Sequence, residues 1–199
     1  MLSYVPKYCP RFRPINEDGS DYHWGTTLGL RQGHRLDETT NPTLSSIYRV
    51  AKMIGQSKTL PDIFHAGPEV CVNQSLRDTV ESLEPDVHQF LPITLLRANG
   101  VPFAGQYYLL NIGQVLESVV FDRSNLRWEK TPNGEAYVQR GLNSADYRTL
   151  SKAKIERKHL WREAIYLRDI YLSDDLFKLF KLNKFKGVDS HGYKFAIEI

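Results

Sequence analysis

The sequence predicts an α+β fold, a mostly antiparallel sheet with helices packed on it, and three observations carry the prediction. Residues 71–93, CVNQSLRDTVESLEPDVHQFLPI, spell a strand, a cap, an amphipathic helix, a stop and a second strand in succession. The same arrangement returns one hundred positions later as YLSDDLFKLFKLNKFKGV from Tyr171. Strand-like runs gather in the middle of the chain, leaving the helices to pack on one side.

In the first unit Asn73 can cap the free N–H groups of a following helix, Leu76, Val80 and Leu83 recur at spacings of four and three, and Pro85 forbids further helix. Leu76, Val80 and Leu83 are expected to be buried. Val87, Phe90 and Ile93 then form an extended run whose Pro92 predicts an edge or a bend rather than a central strand. The second unit has Ser173 as cap, Leu176, Leu179, Phe180 and Asn183 along the helix, and Gly187 near its end. The two match in pattern more than in identity, and a recurring unit needs no duplicated ancestor.

Residues 1–42 are rich in Pro, Gly and polar residues. Tyr4, Tyr8, Phe12, Tyr22 and Trp24 argue against disorder there and predict irregular or short-strand structure. Gly25, Gly29 and Gly33 lack the Gly-Lys-Ser/Thr ending of a phosphate loop and read as turn glycines. Asn41-Pro42 opens a predicted helix with Leu44, Ile47, Ala51 and Ile54 on one face and Gly55 as stop. Gln56 to Pro68 reads as a connector. This divides the chain into an N-terminal extension, 1–59, packed on a main α+β domain, 60–199.

After the first unit, Thr94 to Leu96 and Gln106 to Ile112 read as strands joined through Ala98-Asn99-Gly100. Val119, Phe121 and Leu126 to Trp128 suggest another strand, and Lys130 to Ala145 a long surface loop. Leu160, Ile165, Leu167, Ile170 and Leu172 supply strands before the second cap, and YKFAIEI at 193–199 alternates as a half-buried strand.

The chain of 199 residues has ample length for a core without disulfides, and its two cysteines, Cys9 and Cys71, read as free thiols in a reducing compartment. Cys71, between Val70 and Val72, is expected to be buried. The prolines and charges of MLSYVPKYCPRFRP do not suit a signal peptide, and no segment is apolar enough to span a membrane, so the expected location is cytoplasmic. A net charge of +3 is too mild to imply direct nucleic-acid binding. The charge is unevenly spread. Segment 61–100 sets Asp62, Glu69, Asp78, Glu81, Glu84 and Asp86 against only Arg77 and Arg97. That is either a solvated surface or a face that steers a basic partner.

Chemistry is sparse. The six histidines have no metal-ligand spacing and no cysteine cluster beside them, no serine lies in a G-x-S-x-G elbow, and neither cysteine has a catalytic signature. No catalytic residue, metal site or cofactor is therefore assigned. The sharpest enzymatic alternative is a metal-dependent nuclease using Asp86 or Asp62 with Glu156-x-Lys158; a structural or adaptor module is another. In HLWRE, Trp161 and Arg162 are of the types enriched at binding hot spots, or else a core tryptophan beside a snorkelling arginine.

The segments CVNQSLRDTVESLEPDVHQFLPI, YYLLNIGQVLESVVFDRS and HLWRE…IYLSDDLFKLFKLNKFKGV, in that order between Leu60 and Val188, resemble the immunity-protein family numbered eleven of bacterial polymorphic toxin systems. The resemblance implies a non-enzymatic cytoplasmic antidote to a toxin delivered between competing cells, for example by type VI secretion. The implied partner is a nuclease, blocked at its active site or substrate groove. The expected toxin contacts are Asp62, Glu69, Asp78, Glu81, Glu84 and Asp86, with Trp161 and Arg162. KLFKLNKFKGV is more basic than the family pattern, which argues against simple DNA mimicry.

Overall fold

The computed structural model describes residues 2–4, 10–22, 30, 33, 35–36, 47–125, 128–130, 136–138 and 148–188. Cys9, Gly25, Gly29, the expected helix start at Asn41-Pro42 and the expected 193–199 strand lie outside the described residues. The fold is α+β. Its main sheet has six strands: β2 (Phe12–Ile15), β3 (Val50–Met53), β4 (Ile63–Ala66), β5 (Glu69–Asn73), β6 (Gln89–Leu96) and β7 (Tyr107–Asn111). They are ordered β2-β3-β6-β7-β5-β4, all neighbours antiparallel except β3 and β6. A second sheet is ordered β1-β12-β11-β8, from β1 (Leu2–Tyr4), β8 (Val115–Leu116), β11 (Leu160–Glu163) and β12 (Tyr166–Leu172). A separate hairpin joins β9 (Trp128–Lys130) to β10 (Ala136–Val138).

The six-stranded sheet curls, bringing Phe12 of β2 within 5.6 Å of Phe64 of β4, ring to ring. One core fills the concave side, with Phe64, Cys71, Leu95 and Leu109 at its centre. Cys71 is a buried free thiol whose pKa burial pushes up. The other side carries Val72, Tyr108, Leu110 and Ile112 and is joined to Leu160, Ile170 and Leu172 of the second sheet by the helices α1 (Gln74–Leu83) and α3 (Asp174–Leu182). Leu76 and Val80 of α1 and Leu176 and Phe180 of α3 point into this layer. Leu83, expected to be buried, is half-buried at its margin.

Several expectations are corrected. Val50–Met53 is a strand rather than the end of a helix: residues 51 and 53 are buried while 50 and 52 are not, a period of two, and Phe12–Ile15 supplies the ladder. The connector contains strand β4, so strands on both sides of residue 60 share one sheet. Strand β6 is central although it contains Pro92. The register explains this, because β3 pairs only with Thr94 to Leu96, leaving Pro92 flanked by β7 alone; its missing N–H removes no ladder bond there. Val119 makes an isolated bridge to Leu150, and Phe121–Arg123 is a 3-10 turn rather than strand. The predicted 130–145 loop holds strand β10. A short helix α2 (Lys152–Ile155) precedes β11.

Candidate functional site

Two hairpin-cap-helix units face each other across the helix layer. In the first, β4 and β5 close through Gly67-Pro68 and lead into α1; in the second, β11 and β12 close through Ala164-Ile165 and lead into α3. Asn73 caps α1 by accepting from Leu76 N–H at 3.0 Å, and Ser173 caps α3 by accepting from Leu176 N–H at 3.1 Å. Each cap is itself held by the residue just before its hairpin. Asn73 Nδ2 donates to Asp62 Oδ1 at 2.6 Å, and Ser173 Oγ lies 2.8 Å from His159 Nδ1.

The C-terminal end of α1 is fastened to the second unit by Glu84, which is only 5% exposed. Its carboxylate accepts from the backbone N–H groups of His159 and Leu160, each at 2.9 Å, and from Gln114 Nε2 at 2.7 Å. His88 Nε2 completes the set at 2.9 Å; Gly113 N–H donates to His88 Nδ1 at 3.3 Å, which leaves the ring proton on Nε2 for Glu84. Gly113 is required for this approach, since a Cβ there would lie 2.2 Å from the Val87 carbonyl oxygen. Burial alone would raise the Glu84 pKa, but the donors from His88, His159 and Gln114 outweigh it and hold the carboxyl below its ordinary range.

The end of α3 is fastened to the first unit by main chain. Lys186 O accepts from Asp62 N–H at 2.9 Å and Ile63 N–H at 3.3 Å, and Lys186 N–H donates to Asp62 Oδ2 at 2.6 Å. The end of each helix thus meets the start of the other unit, so α1 and α3 lie antiparallel. Glu81 and Asp86 fall at the same end of the pair as Asp174 and Asp175; Lys181, Lys184 and Lys186 fall at the other.

This arrangement sorts the eight expected contact residues. Trp161 has no exposed surface and stacks on Tyr171 at 5.6 Å, and Arg162 is 2% exposed with Nη1 donating to Leu167 O at 2.6 Å. Strand β11 is covered on both faces, so both side chains are packed inside the fold and Arg162 does not snorkel. Glu69 is 1% exposed, and Glu84 is the buried fastener just described. Asp62 is half-buried with both oxygens engaged. Asp78 and Asp86 are exposed and Glu81 half-exposed, with Asp78 accepting from Gln74 Nε2 and Glu81 from Asp86 N–H. Glu156 is the exposed cap residue at the end of α2. Among the described residues no group of three or more His, Cys, Asp and Glu side chains is placed to hold a metal ion, and no helix is long and apolar enough to cross a membrane.

Sequence reasoning missed the Glu84 partners. His88 stands four residues beyond Glu84 and was visible in principle; Gln114 and His159 come from distant elements and left no local signal.

The curled six-stranded sheet and the second sheet are joined by a helix pair, with Glu81, Asp86, Asp174 and Asp175 towards one end of the pair and Lys181, Lys184 and Lys186 at the other. The chain belongs to the Imm11 immunity protein family, whose model matches residues 27–192. That match starts well before Leu60, so strands β3 and β4 lie inside the family's domain. No curated protein matches the chain.

Proposed function

We propose that the chain is the antidote to a cognate bacterial toxin and works by binding it in the cytoplasm rather than by catalysis. The single observation that carries this is membership of an immunity protein family over most of the chain. The surface that supports a basic partner is the acidic end of the helix pair. Glu81 and Asp86 stand at the C-terminus of α1, where the helix dipole disfavours negative charge, and Glu81 accepts from Asp86 N–H in the turn that follows. Asp86 also occupies a left-handed backbone position at φ 59°. Carboxylates held there suit the basic substrate groove of a nuclease, which they would occlude while steering association. Asp78 lies one turn before Glu81 on α1, Asp62 is tied to Asn73 and Lys186 at the far end of the pair, and Glu69, Glu84, Trp161 and Arg162 serve the scaffold.

The test pairs the chain with the toxin encoded alongside it. Wild-type protein should restore growth of cells expressing the toxin and bind the purified toxin domain. Glu81→Lys with Asp86→Lys should slow association at least ten-fold at low salt, with dissociation changed less. Toxicity undiminished by the wild-type chain would sink the immunity role; unaltered association of the double variant would remove this face and leave the role intact.

A further inference from the structure

The basic end of the helix pair is not explained by a contact made through the α1 carboxylates. Helix α3 closes in a Schellman motif: Phe185 N–H bonds to Phe180 O at 3.1 Å, Lys184 N–H to Lys181 O at 3.0 Å, and the Phe180 and Phe185 rings meet edge to face at 5.5 Å. The motif needs one left-handed residue, usually glycine, and here it is Lys184 at φ 57°. Two residues on, Lys186 is tied to Asp62 and Ile63, and Gly187 packs so tightly that a Cβ would lie 2.1 Å from Ile63 O. The tip is therefore held in place rather than frayed.

Part of what the tip displays helps it fold, since Lys181 Nζ lies 4.4 Å from the Phe177 ring centroid, and part does not. Leu182 is 76% exposed, above every other exposed large apolar side chain among the described residues. Lys181, Lys184 and Lys186 are exposed around it, whereas Lys178 is paired with Asp175 at 3.1 Å. The helix dipole accounts for Lys181, in the last turn. It does not account for Lys184, which lies past the helix in a conformation that disfavours a side chain, nor for a leucine left in water.

We propose that Lys181, Leu182, Lys184 and Lys186 form a second docking point, whose partner is an acidic patch with an apolar centre on the same toxin, apart from the basic surface met by α1. This rests on the immunity reading above. An apolar side chain among lysines fits a protein surface, where Leu182 gains a contact; a phosphate backbone offers it none. Because the helices are antiparallel, the acidic and basic contacts lie at opposite ends of one packed pair, about 15 Å apart by the rise of a ten-residue helix. Opposite charges at the two ends fix the direction of docking as well as its rate.

The probe is the toxin domain that the chain neutralises, inactivated at its own catalytic site, with binding kinetics read at low and physiological salt. Lys184→Gly places the residue the turn favours, so its melting temperature should hold or rise while association slows several-fold. Lys181→Glu with Lys184→Glu should slow association at least ten-fold at low salt and flatten the salt dependence, and Leu182→Asp should speed dissociation. If all three variants bind as wild type does, in protein that still protects cells, the second docking point is wrong and the immunity role stands. A wild-type chain that neither binds nor protects overturns both. Binding of a short DNA or RNA duplex that the tip variants abolish would also overturn the proposal, by assigning the lysines to phosphate.

Discussion

In the first hairpin the N–H groups of Asp62 and Ile63 meet the carbonyl of Lys186; in the second, those of His159 and Leu160 meet the carboxylate of Glu84. The positions are equivalent, each just before and at the start of the first strand, and each is served by chain that follows the other unit's helix. The chemistry differs. A backbone carbonyl can be neither deleted by substitution nor titrated, whereas the carboxylate is a single side chain that can be both. The same geometric need is met once by main chain and once by a residue on which four donors depend, so the two halves of the helix layer should respond differently to mutation and to pH.

Removing that residue should have the largest effect. Glu84→Ala strands two buried N–H groups, Gln114 and His88, and should destabilise the fold by about 3–5 kcal/mol, measured by urea unfolding. Lys186→Ala keeps its carbonyl and should stay within about 0.5 kcal/mol. Equal losses at the two positions would break the comparison. The main-chain closure is vulnerable instead at Gly187, where φ is 92° and an added Cβ meets Ile63 O and Pro61. Gly187→Ala should therefore cost about 1–3 kcal/mol.

These contacts also mark how far the sequence could be read. Caps, apolar spacing and Pro85 act within a few residues, so both strand-cap-helix units were legible, as was the burial of Leu76, Val80 and Cys71. Pairing between distant segments was not. Val50–Met53 was assigned to a helix because Ile47, Ala51 and Ile54 fit a helical face, while the strand that sets its actual period lies nearly forty residues upstream. Glu84 looked like one more surface acid because its backbone donors lie 75 and 76 residues away. Trp161 and Arg162 could be read either as hot-spot residues or as a core tryptophan beside a snorkelling arginine; Trp161 is core, and nothing local reveals that Arg162 is covered as well. The candidate surface was legible as a charge imbalance, but only the fold separates Asp78, Glu81 and Asp86 from the acids turned inward.

Smaller effects should separate the two caps. Asn73→Ala loses the bond from Leu76 N–H and also a 2.6 Å donor to the Asp62 carboxylate; Ser173→Ala loses the bond from Leu176 N–H and a 2.8 Å contact with the His159 ring. Each cap should be worth about 1 kcal/mol, with Asn73→Ala the more damaging because its second bond is charge-assisted. Equal thermal shifts, or a larger one for Ser173→Ala, would show that the Asp62 tie adds nothing to the first unit.

The smallest expected difference is in pH dependence, and it sets Glu84 against a second buried glutamate. Glu163, in β11, is 1% exposed and accepts from Ser118 N–H at 3.1 Å, yet its pKa is raised: burial outweighs the bonds from Ser118 and Val119 and the attraction of Arg148. For Glu84 the donors win and the pKa is lowered. With a lowered folded pKa, the Glu84 contribution is complete above the ordinary carboxylate value of about 4.3 and is lost as pH falls through the folded value. With a raised folded pKa, the Glu163 contribution is complete below about 4.3 and is lost as pH rises through the folded value. Their slopes have opposite signs and fall on either side of about 4.3, that of Glu163 above it and that of Glu84 below, so they offset each other only across the whole range, each a fraction of the about 1.4 kcal/mol per pH unit that one fully displaced proton would give. Substitution by glutamine uncovers them separately. Between about pH 5 and pH 3, Glu84→Gln should lose less stability than wild type on acidification, while Glu163→Gln should lose more, because the compensating slope has been removed. Urea midpoints followed across that range check both signs at once, and three parallel curves would mean that neither carboxyl is perturbed by its surroundings.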